Sequence, residues 1–315
     1  MTAVIEIENL TKVYEVGFWR KRQVLALDNL SLKIEGGEVF GFLGANGAGK
    51  TTTLKLLTRL IYPTSGRATI LGHDIGDVRM HSRIGYLPEN PYFYDYLTAR
   101  EFLDYCAELF GYSKGERKKR TEDLLRRVFL DEKSWNKQLR KFSKGMLQRV
   151  GLAQALVNDP EIVFLDEPMS GLDPVGRRQV RDLIASLREN GTTVFMCSHI
   201  LSDIEVLCDR VAIMREGKLG ETGRLEELRA GASDKHRIEI TVAGAEADAI
   251  TSRLAELAGT TVSPTAGGAR IELADERDVD AAIVAMRQAG GRLVSVQPVK
   301  QSLEELFVGE ELKEK

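Results

Sequence analysis

VFGFLGANGAGKTT, residues 39–52, joins a continuous apolar run to a glycine-rich turn that ends in Lys-Thr-Thr. An apolar run without alternation suits a strand buried on both faces of a parallel sheet. The turn satisfies G-x-x-x-x-G-K-[ST] with Gly44, Gly49, Lys50 and Thr51, and a run of helix formers, LKLLTRL, follows it. The chemistry needs this order. Glycines let backbone N–H groups curl around phosphates, Lys50 reaches the β- and γ-phosphate oxygens, and the Thr51 hydroxyl ligates Mg²⁺. Gly44, Asn46, Gly47, Ala48, Gly49, Lys50, Thr51 and Thr52 are the expected nucleotide contacts. Average residue usage would place such a match in about one chain in a hundred of this length, so a merely structural glycine turn is the weaker account.

Downstream, EIVFLDEP (161–168) ends a second apolar run on adjacent carboxylates. In the presence of a phosphate loop, Asp166 is placed to hold the Mg²⁺ shell and Glu167 to orient or deprotonate an attacking water. Between these stations FSKGMLQR (142–149) reads as a serine N-cap opening a helix, with bare N–H groups that attract anions. Read alone, it is more often an ordinary cap on a core helix, since most serine-capped helices bind nothing.

The chain has 315 residues, 43% hydrophobic and 29% charged, with a net charge of −3. That suits a globular protein of one large and one small domain and lacks the basic bias of a dedicated nucleic-acid binder. Cys106, Cys197 and Cys208 are odd in number and lack C-x-x-C spacing, which argues against a disulfide framework or a zinc site and fits a reducing cytoplasm. No apolar run has the length needed to cross a bilayer, so work at a membrane requires another chain to span it.

Alternation in VIEIEN (4–9) and SLKI (31–34) predicts half-buried strands, and IVFL (162–165), TTVFMCS (192–198) and RVAIM (210–214) continue the buried series. Helical stretches alternate with these, so residues 1–230 read as α/β with a mostly parallel sheet. A helical insertion is expected over about 90–157, where Thr98 with Glu101 and Ser113 with Glu116 match the S/T-x-x-E capping box. AGASDK (230–235) reads as a linker. Beyond it, residues 236–315 give the order β-α-β-β-α-β, a small α+β ferredoxin-like domain, closed by a short helix at SLEELFVGEEL (302–312).

The succession of phosphate loop, Ser-x-Gly helix start and Asp-Glu strand end resembles the ATP-binding-cassette (ABC) ATPases over about residues 4–225. The resemblance implies the P-loop NTPase fold of that family, with ATP and Mg²⁺ as cofactors. In the family the signature LSGGQ binds the γ-phosphate of ATP held by a second subunit. FSKGM matches at Ser143 and Gly145 and departs at Phe142, Lys144 and Met146; Lys144 adds positive charge to an anion-seeking helix end. By the same resemblance Tyr14 stacks on adenine, Ser170, Gly171, Leu172 and Asp173 form the D-loop that communicates across the dimer, and His199 is the switch histidine near the γ-phosphate. Lys50, Glu167 and His199 are thus the expected catalytic groups. A His199–Cys197 metal site would have too few ligands. Glu89, in IGYLPEN, stands where the family usually has a glutamine that touches Mg²⁺, giving Thr51, Glu89 and Asp166 as the expected metal ligands.

Glu89, SKGM and the appended C-terminal domain resemble the branch serving bacterial drug, lipid, polysaccharide or sodium exporters. The resemblance implies a homodimer or heterodimer of ATPase subunits, an integral membrane transport subunit on a separate chain, no nucleic-acid partner, and a cytoplasmic place on the inner face of the membrane. The aromatic stretch PYFYDYLTARE, with Tyr92, Phe93, Tyr94 and Tyr96, lies where the family receives its membrane partner; core packing accounts for such rings as well. GFWRKRQ (17–23) and ERKKR (116–120) suit a headgroup contact or a solvated surface. Two other functions stay open: a non-transport cassette acting on ribosomes or DNA, and an importer ATPase with a regulatory C-terminal domain. The first would usually show tandem cassettes or a long coiled-coil insertion, the second an intact LSGGQ and a glutamine in place of Glu89.

Overall fold

The computed structural model describes residues 3–17, 21–225, 227–228, 237–255, 257 and 259–298. The chain divides into two compact units, Met1–Leu225 and Glu226–Lys315. The predicted linker and closing helix lie outside the described residues, as do residues 18–20 of GFWRKRQ.

The first unit opens with two long antiparallel strands, β1 (Ala3–Val16) and β2 (Arg22–Glu35), followed by β3 (Val39–Gly44) and α1 (Lys50–Leu57). Then come β4 (Ser65–Ile70), β5 (His73–Asp74) and β6 (Ile84–Leu87). The helical insertion holds α2 (Ala99–Leu109), α3 (Lys114–Arg127) and α4 (Lys144–Ala155). The unit closes with β7 (Ile162–Asp166), α5 (Pro174–Glu189), β8 (Thr193–Ser198), α6 (Leu201–Leu207), β9 (Arg210–Arg215) and β10 (Lys218–Arg224).

A six-stranded sheet in the order β10-β9-β3-β8-β7-β6 carries five parallel strands, with β10 antiparallel at one edge. Its central strands β3, β7 and β8 are buried at every position, which explains why their sequences are apolar without alternation. Phe195 of β8 is the hub of this core, with ring centroids 5.5, 5.3 and 5.8 Å from Phe40, Phe42 and Phe164. A second sheet, β2-β1-β4-β5, is antiparallel throughout.

Strands β1 and β2 run well past the segments that alternation predicts. Asn9 and Asn29 adopt left-handed backbone with φ of 49° each, and the β1–β2 register shifts between Ile7 and Leu10 and again between Leu10 and Lys12. Such bulges reset the side-chain alternation while the pairing continues. In the insertion, both capping boxes form. The Thr98 hydroxyl accepts from the Glu101 N–H at 3.2 Å and the Glu101 carboxylate from the Thr98 N–H at 2.8 Å, and Ser113 and Glu116 repeat the exchange.

The second unit contains β11 (Ile238–Ala243), α7 (Ala247–Leu254), β12 (Thr261–Thr265), β13 (Gly268–Leu273), α8 (Val279–Gln288) and β14 (Arg292–Pro298). Its sheet, β12-β13-β11-β14, is antiparallel throughout and has a separate core around Ile240, Val242, Ile250, Ile271 and Met286. Pro264 sits on the edge strand β12, where a missing N–H costs little.

Truncating the aromatic hub tests this account of the core. Phe195→Ala is expected to destabilise the first unit by about 3–5 kcal/mol, seen as a lower midpoint of urea unfolding followed by tryptophan fluorescence. An unchanged midpoint would contradict it.

Candidate active site

Parallel pairing brings the carboxyl ends of β3, β7 and β8 to one level. Leu43 pairs with Ser198 and Asp166 with Cys197, so the turns after these strands converge. In the first turn Gly47 and Gly49 have φ of 86° and 104°, the left-handed region that favours glycine. A Cβ at Gly49 would lie 2.7 Å from the Ala26 carbonyl oxygen, and one at Gly44 2.6 Å from that of Met214. The loop is therefore clamped from behind. The Gly217 N–H donates to the Ala48 carbonyl at 3.1 Å, and the Asp28 N–H to the Gly217 carbonyl at 2.8 Å. Gly47, by contrast, faces open space.

Lys50 opens α1 and is buried, and its Nζ donates to the carbonyls of Gly44 at 2.5 Å and Ala45 at 3.1 Å. Thr51 and Thr52 follow on the first turn of α1. Asn46 is exposed and Ala48 buried against the core.

Asp166 ends β7 at 1% exposure with both carboxylate oxygens lacking a hydrogen-bond partner. Burial drives its pKa up to about 6; the adjacent Thr51 hydroxyl and Lys50 oppose this, while Glu89 and Glu167 add to it. The Thr51 hydroxyl beside the carboxylate favours its charged form. A buried carboxylate without a partner is costly. Thr51, Asp166 and the exposed Glu89, which follows β6 beside β7, offer hard oxygen donors, and this set fits Mg²⁺. Among the described residues no cluster of three or more His, Cys, Asp and Glu is arranged as a metal site, and Cys197 is fully buried with its thiol pKa pushed far up by desolvation.

Glu167 has a left-handed backbone with φ of 51°, unusual for a residue with a side chain. Several bonds hold it there. Its N–H donates to the Cys197 carbonyl at 3.0 Å, and its carbonyl accepts from the Ser170 N–H at 3.0 Å and from Gln148 Nε2 at 3.1 Å. Its Oε1 lies 2.8 Å from His199 Nδ1 and accepts from the His199 N–H at 3.0 Å. The arrangement seats a carboxylate and an imidazole together at the mouth of the phosphate loop, where a water could be oriented and its proton received.

Ser143 is the N-cap of α4, its hydroxyl accepting from the Met146 N–H at 3.2 Å. Ser143 and Lys144 are exposed. The Lys144 stem lies over Gly171, and a Cβ at Gly171 would meet its Cγ and Cδ at 2.8 Å. Asp173 spends its carboxylate on the N-cap of α5, accepting from the Gly176 N–H at 2.8 Å, with Pro174 at the first helical position. Tyr14 faces Val24 across the β1–β2 pair with the Lys12 ammonium 5.1 Å from its ring centre. Two residues along β2, about 7 Å at strand rise, lies the Ala26 carbonyl that backs Gly49.

Two neighbours of the site escape sequence reading. Gln148 is buried and donates to the carbonyls of both Glu167 and Pro168 at 3.1 Å, tying α4 to the turn after β7. Tyr86 of β6 holds a buried hydroxyl without a partner beside Asp166, its pKa raised by desolvation. Neither residue type signals such a place; only strand and helix register does.

The ABC transporter family model matches residues 27–170. An ABC transporter ATP-binding protein of Synechocystis is 47% identical over 306 residues, covering 97% of this chain and 84% of that protein. The bacitracin transport ATP-binding protein BcrA of Bacillus licheniformis is 42% identical over 232 residues, covering 73% of this chain and 72% of its own. Among solved structures, a dimeric ATP-binding cassette in a post-hydrolysis state with ADP and Pi superposes with a TM-score of 0.66 at 28% identity, covering 70% of this chain and 98% of that one. A likeness that runs almost end to end, on the fold and site just described, decides the matter: the chain belongs to the ABC transporter ATP-binding proteins, and it is an ABC-type ATPase that serves as the ATP-binding subunit of a transporter.

Proposed function

We propose that the protein drives an exporter, as one of two cassettes that close head to tail on ATP beneath a separate membrane subunit. The observation that carries the hydrolytic part is the partnerless Asp166 carboxylate set between Lys50 and the Glu167–His199 pair. In this reading Thr51, Asp166 and Glu89 hold Mg²⁺, which when bound neutralises phosphate charge. The glycine loop and Lys50 grip the phosphates, and Tyr14 stacks on the base. Glu167 orients the attacking water and takes its proton, while His199 keeps Glu167 in place and faces the γ-phosphate. The Ser143–Gly145 end, exposed at Ser143 and Lys144, and the adjoining turn at Asp173 meet the partner cassette's nucleotide, which makes hydrolysis a property of the pair.

Support for export comes from Glu89, from the Ser-Lys-Gly helix start, and from the likeness to bacitracin transport ATP-binding proteins in two organisms. Among the described residues no helix is long and apolar enough to cross a membrane; the peripheral place on the inner face of the membrane is supported by the likeness to transport ATP-binding proteins. For the docking surface, Tyr92, Tyr94, Tyr96 and Tyr105 are 89%, 44%, 61% and 41% exposed beside Glu89, with Tyr94 packed on both Tyr96 and Tyr105. Phe93 is not part of it, being buried edge-on against Phe102. Exposed aromatic rings are costly unless a partner covers them. The strand order of the second unit supports a ferredoxin-like fold for it, and we assign it a role in stabilising or regulating dimer closure.

Affinity purification from gently solubilised membranes is expected to recover a multi-span membrane protein; ribosomal or DNA-bound partners in its place would overturn the exporter reading. Glu167→Gln is expected to bind ATP, lose at least about a hundredfold in phosphate release, and accumulate closed dimers in light scattering, whereas full activity would remove Glu167 from its role. Burial, by raising the pKa of Asp166, also makes stability depend on pH. Because the folded state keeps this proton to a higher pH than the unfolded chain, stability falls as pH rises from about 4 to about 6, and the cost persists above that. Asp166→Asn is therefore expected to stabilise the metal- and nucleotide-free protein near neutral pH by up to roughly 3 kcal/mol, with no gain at about pH 4, and to abolish its stabilisation by MgATP. Urea unfolding across that pH range measures both effects.

A further inference from the structure

Helix α6 begins two residues beyond His199, and its third residue, Asp203, is 2% exposed. The hydrolytic scheme leaves this carboxylate unused. Its Oδ1 stands 3.7 Å from Nη1 of Arg181, and its Oδ2 is buried without a hydrogen-bond partner. Burial raises its pKa, and Arg177, Arg181 and His199, in that order, pull it back down.

The two arginines sit one turn apart on α5, the helix that Asp173 caps directly after the Ser170–Asp173 turn. Between α5, α6 and the site lies a cavity of about 180 Å³ lined by Glu167, Ser170, Arg177, Ser198, His199 and Asp203 among others. Its lining is mixed, apolar at Met169, Met196 and Ile200 and polar at the side chains just named, which offer partners to a bridging water. A half-partnered buried carboxylate is a poor way to fill a core, where its neighbours Leu201 and Ile204 do so without penalty.

The His199 side chain is half exposed and is fixed on its inner edge by the 2.8 Å contact to Glu167. The Glu167 carboxylate at Nδ1 favours a ring that carries its proton there, and Asp203 lies near enough for its charge and that of the ring to interact. We propose that Asp203 is a positioning residue for ATP hydrolysis: acting through this cavity, it keeps the His199 ring seated on Glu167 and ties that seat to the arginines of α5. The Ser170–Asp173 turn and the switch histidine then move together. This rests on the assignment of Glu167 and His199 as the hydrolytic pair, and the readouts below separate the two ideas.

The test is Asp203→Asn in the full chain, with the His199 ring followed by long-range ¹H–¹⁵N correlation, assigned by loss of its signals in His199→Gln, alongside ATP affinity and turnover. Expected are a changed Nδ1 signal before any nucleotide is added, unchanged ATP affinity, and turnover reduced roughly tenfold or more, with Asp203→Glu restoring most of the rate. An unmoved His199 signal, or Asp203→Glu as slow as Asp203→Asn, would overturn the proposal. If Asp203→Asn does not fold, Arg177→Met reads the same link from the other side, with the same signal change expected and an unmoved signal counting against it. The ring signal is read without turnover, so a fully active Glu167→Gln would remove the hydrolytic pair while leaving this measurement to stand or fall alone.

Discussion

The parallel ladder of β3, β8 and β7 is the constraint on which the site depends. Its register pairs Leu43 with Ser198 and Asp166 with Cys197, so the three functional turns leave the sheet within two residues of one another. A slip of one residue in any of these strands would exchange buried and functional faces and carry Glu167 away from His199. Complete burial of the three strands on both sides, centred on Phe195, makes such a slip costly. Catalytic geometry is thus inherited from apolar packing.

On that frame the protein places charge where water cannot reach it. Asp166, Lys50 and Glu167 are each less than a tenth exposed, and Asp203 joins them from behind. Fixed charges in a poorly solvated site act strongly on a ligand because they need not reorganise when it arrives. The same burial burdens the free protein, most plainly at Asp166, and in the proposed function Mg²⁺ and phosphate relieve that burden. Stability and affinity here draw on one electrostatic source.

Much of this could be read from the residues. The phosphate loop, the Asp-Glu strand end, both capping boxes and the serine start of α4 are local patterns, because each depends on neighbours within a few positions. The β-α-β-β-α-β order of the second unit was equally visible as changes of period. Less legible were features that depend on distant register. The bulges at Asn9 and Asn29 hid the full length of β1 and β2, and β4, β6 and β10 lack a distinctive pattern. Gln148, Tyr86 and Asp203 gain meaning only from what the fold brings beside them, and so residue type alone passed them over. Of the aromatic stretch, the sequence could not tell that Phe93 turns inward while the tyrosines around it stay outside.

Lys50 has a consequence of another kind. Its ammonium already holds the loop's own carbonyls, those of Gly44 and Ala45. In the proposed function, nucleotide capture is then an exchange of partners for one cation, and the net gain is the difference between two sets of charge-assisted bonds. A motor that must let go of its spent fuel benefits from such a resting partner. In that cycle the lysine returns to its own loop once the γ-phosphate has left, and product departs without leaving a buried cation unanswered.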